Sequence, residues 1–110
     1  VSNPTRARTL AQVTASLLGM NPGVLREGRG LYHVAGIGSA SRLEWARKIL
    51  DLDPHKQEQK VTELRPALTS DFPTPAQRPL FSALDCSLFQ STFGIPLPRW
   101  EEDLRLTMTE

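Results

Sequence analysis

The segment from residue 69 to residue 87 reads Thr69-Ser-Asp-Phe-Pro-Thr-Pro-Ala-Gln-Arg-Pro-Leu-Phe-Ser-Ala-Leu-Asp-Cys-Ser87. Three of the nine prolines in the chain lie within seven of these residues, at Pro73, Pro75 and Pro79. Each proline fixes its own φ, removes a backbone donor and drives the residue before it towards an extended conformation. The pattern therefore excludes a helix or a central strand from Phe72 to Arg78 and predicts a stiff, extended loop.

This loop presents three polar side chains that are candidates for binding a ligand: Thr74, Gln77 and Arg78. Arg78 is the strongest of them because a guanidinium can grip a phosphate or carboxylate with two parallel hydrogen bonds. The prolines around it restrict the backbone, which lowers the entropy lost on binding. Asp71 and Asp85 are each seven residues away. The alternative is that Arg78 pairs with Asp85 or with backbone carbonyls and only pins the loop.

Apolar spacing and capping residues predict about four helices, over Thr5–Leu18, Ser41–Leu52, Asp85–Phe93 and Pro98–Met108. Thr5 is the expected N-cap of the first helix, and Ser41 with Glu44 forms the pattern of a capping box. The first helix should bury one apolar face made of Ala7, Leu10, Ala11, Thr14, Leu17 and Leu18.

Two short segments have the alternation of strands, Leu31–Ala35 and Val61–Arg65, and Asn21-Pro22-Gly23 between the first helix and the first strand signals a turn. The expected fold class is therefore α/β, a small domain with about four helices and two short strands over residues 1–110.

Composition favours an ordinary soluble globular domain, since 39% of residues are hydrophobic and 23% are charged. A formal net charge of +1 gives no electrostatic case for a nucleic-acid or membrane-surface partner. The single cysteine excludes an internal disulfide. His33, His55 and Cys86 lack metal-ligand spacing, so no metal site is expected, and we expect His33 to be packed and hydrogen bonded.

The segment Gly36-Ile-Gly-Ser-Ala-Ser41 half matches the dinucleotide fingerprint Gly-x-Gly-x-x-Gly. Its third glycine is replaced by Ser41, which already has a capping role. Three interpretations remain open: a tight turn that leaves the strand, a wall of a ligand cleft, or a cofactor site.

Three quoted motifs together resemble one enzyme family: Phe72-Pro-Thr-Pro-Ala-Gln-Arg-Pro79, Ser82-Ala-Leu-Asp85 and Thr92-Phe-Gly-Ile-Pro-Leu-Pro-Arg-Trp100. They are similar to the carboxy-terminal part of the dTDP-4-dehydrorhamnose reductase family, within the extended short-chain dehydrogenase/reductase superfamily. Pro4-Thr5 and Gly30-Leu-Tyr-His-Val-Ala-Gly36 fit the same family, so the resemblance covers nearly the whole chain. In the family pattern two arginines precede the last proline of the first motif, and here Gln77 stands in place of the first.

The resemblance implies that this chain is the sugar-nucleotide-binding portion of an NAD(P)H-dependent reductase of dTDP-L-rhamnose biosynthesis, with Arg78, Thr74 and Gln77 at a dTDP-sugar. Superfamily members use Tyr-x-x-x-Lys for proton transfer, whereas four residues after Tyr32, the only tyrosine, stands Gly36. We therefore expect no catalytic residue and no bound NADPH or NADH in this chain. Both would belong to a Rossmann domain elsewhere in a longer, cytoplasmic protein, which could be a homodimer.

Two alternatives from other classes stay open. One is a non-catalytic regulatory or binding subunit of the same fold, since the regulatory subunit of methionine adenosyltransferase is similar to this family. The other is an unrelated small α/β interaction domain.

Overall fold

Five α-helices and two single 3₁₀ turns make up the regular structure of the chain, and a computed structural model describes all residues from 1 to 110. In chain order the helices are α1 (Ala7–Leu18), α2 (Pro22–Glu27), α3 (Arg42–Leu52), α4 (Ser87–Phe93) and α5 (Trp100–Met108). The 3₁₀ turns span Lys56–Glu58 and Thr69–Asp71.

The four predicted helices are confirmed as α1, α3, α4 and α5, with their first residues one or two positions later than expected. Helix α2 was missed because Asn21-Pro22-Gly23 has the composition of a turn. In the structure Asn21 is the N-cap of a short helix, its side chain accepts a hydrogen bond from the Gly23 amide, and Pro22 occupies the first helical position.

The two predicted strands are not confirmed, and the chain contains no β-sheet. Only two isolated bridges are present, one between Ser2 and Ala40 and one between Ile37 and Arg99. Leu31–Ala35 and Val61–Arg65 form neither helix nor strand, and no neighbouring segment pairs with either backbone as in a sheet. The alternation of apolar and polar residues indicates the direction of the side chains, whereas a strand also needs a neighbouring strand that bonds to its N–H and C=O groups. The α/β class expected from sequence is therefore replaced by a helical domain.

The core is small and forms where α4 meets the segment that follows α2. Its buried members are Val13, Ala35, Cys86, Phe89 and Leu97. Phe89 is 2% exposed and belongs to an aromatic cluster with Tyr32 and Phe93, whose ring centroids lie 5.0 Å apart. The Tyr32 hydroxyl donates to the Gly28 carbonyl at 2.5 Å, so the end of α2 is fixed to this cluster.

Helix α1 buries a different face from the predicted one. Thr9 and Val13 are its buried residues, and Leu17 packs against the core. The other members of the predicted apolar face are all exposed: Ala7, Leu10, Ala11, Thr14 and Leu18. The helical spacing was predicted correctly, but the predicted buried face was wrong. Helix α1 has apolar side chains on two faces, and spacing alone does not identify the face that the core covers.

The start of α1 is capped by a residue from the other end of the chain. Thr5 is not the N-cap: Arg6 holds that position and its side chain makes no capping bond. Asp103 of α5, only 2% exposed, accepts hydrogen bonds from the Thr9 hydroxyl at 2.7 Å and from the Arg6 amide at 3.4 Å. A carboxylate at this position satisfies a free amide and suits the positive end of the helix dipole.

Candidate functional site

The proline loop, which we define as Phe72–Pro79, contains neither helix nor strand, as its sequence predicts, and every residue in it is exposed. It is not extended throughout, because the chain bends at Phe72, Pro75 and Ala76. The 3₁₀ turn Thr69–Asp71 leads into it, closed by a hydrogen bond from the Leu68 amide to the Asp71 carboxylate at 2.8 Å. The loop is thus an exposed, bent arm with a structured start.

The structure places all three candidate residues from the sequence on this arm. The Thr74 hydroxyl donates to the Ala76 carbonyl at 2.8 Å, so it shapes the loop and keeps its lone pairs free to accept. The side chains of Gln77 and Arg78 make no hydrogen bond or ion pair within the chain. Both remain able to contact a ligand.

The alternative pairing of Arg78 with Asp85 is not found. The Asp85 carboxylate instead accepts a hydrogen bond from the Ser87 amide at 2.9 Å, one residue before the N-cap of α4. Hydrogen bonds from the Ser87 side chain and amide hold the pKa of Asp85 below its ordinary value. Asp85 is thus engaged at the start of the helix.

A shallow groove of about 290 Å³ adjoins the carboxy-terminal side of the proline loop. One wall is formed by Gly38 and Ser39, and the other by the segment from Phe81 to Asp85, with Asn3 between them. Arg78 precedes Phe81 by three residues, so their Cα atoms are at most about 11 Å apart. The Arg78 backbone therefore lies close to one wall of the groove, although Arg78 itself does not line it.

Asn3 is a residue of this region that sequence reasoning missed. Its Nδ2 lies 3.1 Å from the carbonyls of both Gly36 and Gly38 and 3.2 Å from the carbonyl of Leu84. Its Oδ1 accepts from the Leu84 amide at 2.6 Å. The only signal in the sequence was its place before Pro4, which predicts an extended backbone and nothing about these partners.

The segment from Gly36 to Ser41 does not fit a nucleotide cofactor. A pyrophosphate site presents free backbone N–H groups, whereas here the amides of Gly36, Ile37 and Ala40 bond to Thr5, Pro98 and Ser2. The Ser41 amide and hydroxyl are used in the capping box with Glu44, as predicted.

Close packing explains the first glycine of this segment. A Cβ on Gly36 would lie 2.5 Å from the Pro4 carbonyl oxygen. Gly38 has a φ of +87°, which other residues rarely adopt. Of the three interpretations left open by the sequence, the structure favours a turn that also lines the groove.

The remaining candidate side chains do not form a reactive group. His33 is exposed and makes no hydrogen bond, contrary to the packed histidine expected. Cys86 is buried with its Sγ 3.9 Å from the Ala35 carbonyl. No three His, Cys, Asp or Glu side chains are grouped so that they could hold a metal ion. No helix has the length and apolar character needed to span a bilayer.

The family model described as the RmlD substrate binding domain matches residues 1–110. The chain belongs to the RmlD substrate-binding-domain family. This confirms the resemblance drawn from the proline loop and its companion motifs.

Curated relatives of this RmlD-type domain carry one name. A dTDP-4-dehydrorhamnose reductase of Salmonella typhimurium is 35% identical over 111 residues, which cover 97% of this chain and 36% of the relative. The enzyme of the same name from Sinorhizobium fredii is 35% identical over 77 residues, 70% of this chain and 26% of the relative. That of Escherichia coli K12 is 30% identical over 97% of this chain and 36% of the relative.

The RmlD-type domain thus spans about a third of the length of these relatives. Their shared name gives no support to the regulatory alternative.

Proposed function

We propose that this chain is the part of an NAD(P)H-dependent dTDP-4-dehydrorhamnose reductase that binds the dTDP-sugar. The observation that carries the proposal is that the Arg78 guanidinium, on a loop braced by prolines, has no hydrogen-bond acceptor or ion-pair partner inside the chain. Its charge is always present and is suited to a diphosphate, which it can grip with two hydrogen bonds. Thr74 and Gln77 of the same loop would contact the same ligand.

The proposed reductase would reduce the 4-keto group of the dTDP-sugar, in the cytoplasm, with a hydride from NADPH or NADH. The nicotinamide cofactor supplies that hydride when bound, and the segment Gly36–Ser41 is not where it would sit. In this proposal the cofactor and the proton donor belong to a Rossmann domain outside residues 1–110. The residues of this chain bind and orient the nucleotide sugar, and by themselves they would turn over no substrate.

The test is Arg78→Ala in the full-length protein, with the dTDP-sugar affinity measured by calorimetry. Hydrogen bonds to charged groups contribute about 1.5–3 kcal/mol, so the affinity should fall by a factor of roughly 13 to 160. The melting temperature should stay nearly unchanged, because Arg78 has no contact that stabilises the fold. Unchanged affinity would overturn the proposal.

Arg65→Ala is the matched control. Arg65 lies on the same connection between α3 and α4, is exposed, and pairs with Glu63 at 2.8 Å. The Arg65→Ala substitution removes one positive charge from the protein, as Arg78→Ala does. If both variants lose affinity equally, the effect is one of net charge and does not come from a contact of Arg78.

A further inference from the structure

The side chain of Asn3 bonds to both walls of the groove described above, and no other side chain in the chain does so. Its partners are separated from it by 33 and 35 residues on the Gly36–Gly38 side and by 81 residues on the Leu84 side. The backbone of Ser2 adds a bridge to Ala40, with N–O distances of 3.0 and 2.9 Å. Residues 2 and 3 therefore lie between the two walls and connect them.

Both halves of the amide group are needed for this arrangement. The Leu84 amide donates to Oδ1 and its carbonyl accepts from Nδ2, so the Asn3 side chain pairs with Leu84 as a neighbouring strand would. The carbonyls of Gly36 and Gly38 also face Nδ2, which has only two hydrogens for three acceptors. A carboxylate at this position would keep the acceptor and turn all three carbonyl contacts repulsive.

We propose that Asn3 is a positioning residue, which sets the distance between the groove walls and anchors, at Leu84, the segment that follows the proline loop. The anchor at Leu84 lies six residues after Arg78, and Pro79 stiffens the chain between them. The Val1 carbonyl also holds this segment at Ser82, so releasing Leu84 would loosen it in part, and Arg78 would search more conformations before it met a phosphate. This inference rests on the proposed function and adds a residue that acts through Arg78 without touching the ligand.

The test uses two variants of the full-length protein: Asn3→Asp removes the donor and keeps the acceptor, and Asn3→Ala removes both. Either variant carries the affinity measurement if the other does not fold. In Asn3→Ala, hydrogen exchange of the Leu84 amide should accelerate because its acceptor Oδ1 is removed, whereas exchange of the Ser82 amide, which donates to the Val1 carbonyl at 2.8 Å, should change less. The KM for the dTDP-sugar should rise by about ten-fold, whereas the KM for the nicotinamide cofactor should stay constant. Asn21→Asp is the matched control, because Asn21 uses only its acceptor, towards the Gly23 amide at 2.8 Å.

A double-mutant cycle with Arg78→Ala separates positioning from general damage to the fold. If Asn3 acts through Arg78, the double variant should lose little more affinity than Arg78→Ala alone. Losses that add in full would overturn the positioning role. Unchanged exchange of the Leu84 amide in Asn3→Ala would overturn it whatever Arg78→Ala does, and an inert Arg78→Ala would overturn the proposed function.

Discussion

At the scale of single residues, the contact between Thr9 and Asp103 supports a buried carboxylate. A buried carboxylate is costly unless hydrogen bonds compensate for its lost hydration. Asp103 has the Thr9 hydroxyl at 2.7 Å and the more distant Arg6 amide at 3.4 Å. Removing the hydroxyl would leave the carboxylate with the weaker partner only.

Thr9→Val keeps the shape of the side chain and removes this donor. We expect the free energy of unfolding, measured with denaturant, to fall by about 1.5–3 kcal/mol, the range for hydrogen bonds to charged groups. Thr14→Val is the matched control on the same helix, since the exposed Thr14 hydroxyl donates to the Leu10 carbonyl of its own helix at 2.8 Å. The control should change stability by less than about 0.5 kcal/mol. Equal losses in the two variants would contradict this account of the buried carboxylate.

A contact between two residues could be predicted from the sequence only where the two lie close together along the chain. Ser41 and Glu44 are three residues apart, so their reciprocal capping bonds could be predicted from local geometry alone. Asn3 and Asp103 find partners 81 and 94 residues away, and no local rule points to such pairs. The exposed Arg78 could be predicted because its flanking prolines determine the local backbone.

At the scale of elements, the capping box stabilises α3, which packs against α5. Ser41→Ala removes the acceptor for the Glu44 amide, which lies 3.1 Å from the Ser41 hydroxyl. We expect a loss of about 1 kcal/mol, and Ser41→Gly should lose only a few tenths.

Ser91→Ala serves as the control for that substitution, because its exposed hydroxyl bonds only to the Leu88 carbonyl within α4 at 3.2 Å. Thermal unfolding of Ser41→Ala, Ser41→Gly and Ser91→Ala, measured side by side, would rank the stabilities of the three variants. A stability of Ser41→Ala equal to that of Ser91→Ala would show that the cap contributes nothing to α3.

Helices were predicted well and strands poorly, for a physical reason. A helix satisfies its backbone hydrogen bonds within one segment, so the capping residues and the apolar spacing of α3 and α4 were sufficient to predict these two helices. Leu31–Ala35 has the side chains of a strand, but pairing depends on a second segment that the pattern does not identify. Which face of α1 is buried likewise depends on the segments that pack against this helix, and its own sequence does not identify them.

At the scale of the whole molecule, the chain exposes more surface than its mass requires. Its accessible area is 8388 Å², whereas a compact monomer of 12.2 kDa exposes about 6,100 Å². Only 10 of 110 residues are buried, and Leu18 on the outer face of α1 is 78% exposed. We expect another part of the full-length protein to cover this outer face.

Thiol labelling tests that expectation, with Leu10→Cys and Leu18→Cys introduced one at a time. Each should react rapidly in the isolated chain and about ten-fold or more slowly in the full-length protein if the face is covered. Mass spectrometry assigns the modified site, and the buried Cys86 should stay slow in both as an internal control. Equal rates at Leu18→Cys in the two forms would show that α1 faces solvent.

The cap that Asp103 provides for α1 also has a consequence for the order of biosynthesis. Thr9 is made 94 residues before its partner, which at about 5–20 residues per second is an interval of roughly 5 to 20 s. During that time the Thr9 hydroxyl and the Arg6 amide have no Asp103 carboxylate to bond. Among the helices of residues 1–110, α1 is therefore synthesised first, yet its capping contact forms only after α5 has been made.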